Sequence, residues 1–89
     1  MKKRAKEKAV ALKYRKDEDR APRVVAKGAA RCAQKIKEIA RTAGVPVRED
    51  QMLTEALFPL ELGQYVPEEL YEVVAEVLAW VYSIDRKYR

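Results

Sequence analysis

RVVAKGAARCAQKIKEIARTAGVPVR, residues 23–48, changes its hydrophobic period partway along, and that change decides the fold. Val24, Val25 and Ala26 form a short apolar run of the kind that enters a sheet, and Gly28 is read as its break. From Ala29 to Ala43 the apolar residues Ala29, Cys32, Ala33, Ile36, Ile39, Ala40 and Ala43 recur at spacings of three and four. Arg31, Lys35, Glu38 and Arg41 fall mostly opposite, as on an amphipathic helix. Gly44 is placed to cap that helix and Pro46 to prevent its continuation. Val45–Arg48 then reads as a third strand beginning at Pro46 or lying at an edge. Strand, helix, strand is a βαβ unit, whose right-handed crossover would make the two strands parallel.

Working outward, Lys8 to Tyr14 (KAVALKY) is a β-rich run ended by the charged stretch Arg15–Arg20 and by Pro22. Downstream, Asp50 is placed to cap a short helix over Gln51–Phe58, stopped by Pro59. LELGQYV reads as a linker. Pro67, followed by Glu68 and Glu69, starts the last helix with proline and acidic residues where helix geometry and dipole favour them. Leu70, Val73, Val74, Val77, Leu78, Val81 and Ile84 form a broad apolar stripe there, widened by Tyr71, Ala75 and Tyr82. The expected architecture is a small three-layer α/β sandwich. A mixed sheet carries helices on both faces, and a long C-terminal helix covers one of them.

Composition bounds the chemistry. Eighty-nine residues, 48% of them apolar, support one domain with one modest core. Histidine is absent and cysteine occurs once, at Cys32, so a zinc set, a disulfide or a His-centred acid–base pair cannot be assembled. Cys32, set in a helical apolar pattern, reads as a small packing residue. Glu72 and Glu76, four apart on the last helix, read as a solvent face. Phe58, Trp80 and Tyr82 read as core aromatics. The Ala26-Lys27-Gly28 turn precedes a helix but lacks the glycine-rich cradle of a phosphate loop. No catalytic residue, metal site or cofactor is expected.

The charge is uneven. Residues 1–23 hold ten Lys/Arg against four Asp/Glu, a net +6, whereas 24–89 hold nine against ten, a net −1. Residues 1–7 therefore read as a basic, disordered arm ahead of a single domain over 8–89. Such an arm could neutralise phosphates in a salt-sensitive way, which makes a small basic nucleic-acid-associated protein the alternative function. No aromatic is interleaved among Lys2, Lys3, Arg4, Lys6 and Lys8, and no nucleic-acid motif appears, so specific nucleic-acid binding is not expected. Leu70–Ile84 is too short and too charged for a membrane span.

AVALKY (9–14), APRVVAKGA (21–29), KIKEIA (35–40), GVPV (44–47), ALF (56–58) and LGQYVPEELYEVVAEVLAWVY (62–82) together resemble the C-terminal cytoplasmic domain of the FlhB family. That family acts as the substrate-specificity switch of flagellar and type III export. The resemblance covers residues 8–84 in order. It implies a non-enzymatic, cytoplasmic protein-binding component, peripheral at the export apparatus of the inner membrane. The implied partners are rod and hook subunits and apparatus proteins such as the FlhA cytoplasmic domain, bound by a monomer. In the family Asn-Pro-Thr-His stands directly before AVALKY, and its Asn cyclises and cuts the chain. Here Arg4-Ala5-Lys6-Glu7-Lys8 occupies that place, and the chain contains neither Asn nor His. The implied protein is a free-standing relative that does not cleave itself. Carried over by position, substrate docking falls on Ala21 and Pro22 in the loop and on Ala75 and Leu78 in the last helix. Ala75 and Leu78, three apart, share a helical face, where they could equally be core positions.

Overall fold

Two apolar runs separated by a polar loop pair most simply as neighbours, and that pairing is the centre of the fold. In this computed structural model, which describes residues 7–87, strands β1 (Lys8–Lys13) and β2 (Arg23–Ala29) are antiparallel. Lys8 lies opposite Ala29, Ala9 opposite Gly28, Val10 opposite Lys27 and Ala11 opposite Ala26. The register then slips: Leu12 faces Val24 and Lys13 faces Arg23, leaving Val25 as the extra residue of a β-bulge. The slip lets Val24 be fully buried beside Val25, which is 49% exposed. In the connecting loop the Asp19 side chain accepts from Arg15 N, while Glu18 N and Asp19 N donate to Arg15 O.

Gly28 does not break β2; it lies within it. A Cβ built at Gly28 would stand 2.6 Å from Cys32 Cβ and 3.3 Å from Ile36 Cδ1. The missing side chain is what lets helix α1 (Arg31–Thr42) settle directly on the sheet. The chain reverses instead at Ala30, whose φ of 54° is positive and whose N–H donates to Glu7 O. Ala33 is completely buried at this contact. Cys32 is exposed, contrary to its expected packing role, with only its Cβ involved at Gly28.

At the end of α1, Ala43 N donates to Ile39 O, Gly44 N to Arg41 O and Val45 N to Ala40 O. Gly44 takes φ 76°, as such a closure requires. This closure removes the expected third strand. Val45 spends its N–H on the helix, Pro46 has none, and residues 45–50 form no ladder. The βαβ unit and the mixed sheet are therefore corrected: among the described residues the sheet has two antiparallel strands.

The segment read as a linker does part of what the third strand was expected to do. Val24 N donates to Gln64 O, Gly63 N to Val24 O and Val66 N to Pro22 O, with Arg23 and Tyr65 bridged antiparallel. Helix α2 (Gln51–Leu57) begins where expected, with Asp50 Oδ1 accepting from Leu53 N at 3.1 Å. A 3-10 turn over Glu68–Leu70 leads into α3 (Tyr71–Lys87). Its apolar stripe is narrower in use than in sequence: Val74 is 1% exposed, whereas Val73 and Tyr82 are 40% and 49% exposed.

The core follows from these placements. Leu57, Val66 and Val74 form a buried cluster, and Val10, Leu12, Leu53, Leu60, Leu70 and Leu78 pack against it. Side chains alternate across a strand, so Gly28 facing α1 directs Lys27 and its partner Val10 the other way. Lys27 Nζ indeed donates to Phe58 O and Leu60 O, just beyond α2, at 2.9 and 2.6 Å. Thus α1 lies on one face of the sheet and the α2–α3 core on the other. The basic arm falls on residues 1–6, outside the described residues, apart from Glu7, which is tied to α1 through Ala30 N and a Lys37–Glu7 ion pair.

Candidate docking surface

The corner where the Ala21–Pro22 loop meets the rest of the chain is built from the inside. Pro22 cannot donate, but its carbonyl accepts from Val66 N at 2.8 Å. Val66 is 1% exposed and belongs to the cluster that holds Val74. Ala21 is 3% exposed and Pro22 is buried. Leu78 is half-buried and packs on the same cluster, while Ala75 is exposed on α3. The structure therefore sets Ala21 and Pro22 in the interior, beside the chain segment that leads into α3. Ala75 is the one of the four that is exposed to solvent.

What this corner shows to solvent is a group the sequence reading did not single out. Tyr65 lies under two guanidinium groups, with Arg20 at 5.0 Å and Arg23 at 5.6 Å from the ring centroid. Asp19 stands 3.8 Å from Arg23 and balances one of the two charges. The sequence signal was present as Arg on either side of Ala-Pro, but it needed the Arg23–Tyr65 bridge to bring the tyrosine in. The paired guanidinium groups over an aromatic ring suit recognition of carbonyl-rich or acidic polypeptide.

A second concavity runs along β1. It is a slot of about 670 Å³ between the two helical layers. Residues Glu7–Leu12 line its floor, Ile36 and Ala40 of α1 one wall, and Leu53, Val77 and Val81 from α2 and α3 the other. Trp80, half-buried, also faces it, as does Val45, which is 53% exposed.

Lys27, considered above as a phosphate-turn residue, has its ammonium committed to two carbonyls and lies 5.4 Å from the Phe58 ring centroid. Among the described residues no group of three or more His, Cys, Asp or Glu could hold a metal ion, and no helix is long and apolar enough to cross a membrane.

Comparison with known proteins places this architecture. Residues 6–81 match the model of the family described as FlhB HrpN YscU SpaS. YlqH of Bacillus subtilis (strain 168) is 45% identical over 78 residues, which are 88% of this chain and 84% of that protein. The flagellar biosynthetic protein FlhB of Escherichia coli (strain K12) is 47% identical over 79 residues, but those are only 21% of its length. The chain thus spans most of the one relative and about a fifth of the other. Among solved structures, a point mutant of the EscU C-terminal domain superposes with a TM-score of 0.83 at 29% identity, covering 86% of this chain and 94% of that one. The PscU C-terminal domain gives 0.78 at 34% identity, covering 82% and 94%. Sequence, length of match and fold agree, and the chain belongs to the FlhB HrpN YscU SpaS family.

Proposed function

We propose that this chain is a non-enzymatic docking module of flagellar or type III protein export. It binds export substrates such as rod or hook subunits, or an apparatus protein such as the FlhA cytoplasmic domain. It does so as a monomer in the cytoplasm, at the periphery of the export apparatus on the inner membrane. The observation that carries this reading is the match of residues 6–81, in sequence and in fold, to the C-terminal domain of one family of export proteins. Ala75, with Ala21 and Pro22 supporting the corner beneath, is the docking locus. Leu78 contributes from the core side, and Arg20, Arg23 and Tyr65 form the polar margin.

The module works without a self-made break. An asparagine-driven cut needs the side-chain amide as nucleophile, and this chain holds no Asn. Binding therefore occurs on one continuous chain. The competing reading is nucleic-acid association, favoured by the ten Lys/Arg in residues 1–23. Titrating a purified hook or rod subunit and a labelled RNA at two salt concentrations separates the two. Saturable subunit binding with shallow salt dependence is expected. Tight RNA binding that falls steeply with salt, without subunit binding, would replace the export reading.

A further inference from the structure

We propose that the end of the sheet at Lys13, Arg23 and Tyr65, joined by Arg20, docks an acidic polypeptide segment carrying two carboxylates about 5–7 Å apart. This names the partner chemistry of the corner, and to that extent it rests on the docking reading above. Lys13 lies opposite Arg23 in the hairpin, and Arg23 is bridged in turn to Tyr65, so the three form one row across three chain segments. Directly opposed residues share a face. Leu12 and Val24, the next opposed pair, turn inward: Leu12 packs on the Leu57 cluster and Val24 is fully buried. Alternation sends the row to the other face. There Lys13 is exposed and the Arg23 side chain is 40% exposed. Arg20 reaches the same ring from the loop, 5.0 Å from its centroid.

Like charges directly opposite on a sheet repel and destabilise it. The row nonetheless sets Lys13 against Arg23, with Arg20 over the neighbouring ring. Among the described residues Asp19 is the one carboxylate paired with these cations, 3.8 Å from Arg23. It is fixed in place: its side chain is 8% exposed, and its other oxygen accepts from Arg15 N at 2.8 Å. Arg15 is itself paired with Glu18. Three cations against one anion leave a net +2, which two carboxylates of a partner neutralise. Tyr65 holds both guanidinium groups in place before the partner arrives, and a planar guanidinium takes a carboxylate through two parallel hydrogen bonds. A phosphodiester strand fits less well. The Tyr65 ring is half-buried and already covered by guanidinium groups, so it offers no platform for base stacking. Asp17 and Glu18 in the loop, and Glu68 and Glu69 within four residues of Tyr65, set negative charge around the row. A short acidic cluster avoids that charge; a long polyanion crosses it.

The experiment titrates the isotope-labelled intact chain with a dodecapeptide of alternating Glu and Ser, with its Gln counterpart, and with dodecauridylate, following amide and guanidinium resonances. The Glu peptide is expected to shift Lys13, Arg20, Arg23 and Tyr65 together and to bind at least tenfold more tightly than the Gln peptide. Arg20→Gln and Lys13→Gln should each weaken it about three- to fivefold, as exposed ion pairs do. Lys13→Gln also relieves the cross-strand repulsion, so the free chain should melt at a higher temperature while binding weakens. A purely structural lysine would not move the two in opposite directions. Shifts centred on Met1–Lys6, equal binding of the Gln peptide, tighter binding of the uridylate at these residues, or an affinity unchanged in both variants would overturn the proposal. Glu-peptide binding at the row without hook or rod subunit binding would end the docking reading alone. Subunit binding that is lost in Ala75→Asp, with no response of the row to the Glu peptide, would end this inference alone.

Discussion

Replacing Gly28 with alanine tests the contact on which the α1 layer depends. The new Cβ would lie 2.6 Å from Cys32 Cβ and 3.3 Å from both the Cys32 carbonyl carbon and Ile36 Cδ1. Carbon atoms rest at about 3.5–4.0 Å, so the first contact alone asks α1 to retreat by about 1 Å. The partner is a Cβ fixed to a helix backbone, not the end of a flexible side chain, so rotation cannot relieve it. Overpacking of this kind costs about 1–3 kcal/mol. Restricting the unfolded chain returns about 0.4–1 kcal/mol, because Gly28 does not occupy the left-handed region. The net expectation is a loss of about 1–2 kcal/mol. In a domain of this size that lowers the melting temperature by about 5–15 °C. Urea denaturation should show a lower midpoint at unchanged slope.

The atom responsible can be identified by a double-mutant cycle. Cys32→Ala retains the Cβ, so the cost of Gly28→Ala should persist in that background. Cys32→Gly removes it and should recover most of the cost, over and above its own helix penalty of about 1 kcal/mol. Gly28→Ala as stable as the parent, or rescue by Cys32→Ala, would refute the close-packing account.

Two further perturbations address the joints on either side of this contact. Ala30→Gly should raise stability by about 1 kcal/mol, because Ala30 holds φ 54°, ψ −119°, a region that penalises a side chain; a melting temperature at or below the parent's would count against that strain. Lys27→Met should lower stability by about 1–2 kcal/mol in urea denaturation, because the Phe58 and Leu60 carbonyls lose a charged donor. A neutral result would mean that water replaces the ammonium at no cost.

The elements with a strong local signal were legible from the sequence. The α1 periodicity over 29–43 yields a helix over 31–42, and Asp50 caps α2 as its side chain suggests. Both strands of the hairpin lie where the apolar runs put them. The failures occur where a residue's role is set by a distant partner. Val45-Pro46-Val47 has the composition of a strand start, yet Val45 N–H is consumed by Ala40 O. Gly28 looked like punctuation because an empty Cβ position reads the same whether it serves a turn or a packed helix. The Val25 bulge was hidden within a continuous apolar run. Gln64–Val66 lacks strand periodicity and is ordered by backbone groups of Pro22 and Val24, forty residues away in the chain. The burial of the proposed docking residues was hidden for the same reason: Ala21 and Pro22 follow six charged residues and look superficial, but both are buried, with Pro22 O bonded to Val66 N.

Burial decides how the proposed docking surface can be interrogated. A two-stranded hairpin is marginal alone, so this sheet persists through what covers it. Leu78 belongs to that cover: it packs on Leu57, Val66 and Val74 and also lines the slot along β1. Pro22 is joined to the same cluster through Val66, and Ala21 beside it is buried. Substituting any of these three changes the core and the surface together, and a loss of partner binding would not tell one from the other. Ala75 is exposed and outside the cluster, and Arg20, also exposed, lies over the Tyr65 ring at the margin. Under the proposed role, substitution at these two positions changes recognition and leaves the core intact, which separates a docking loss from a folding loss.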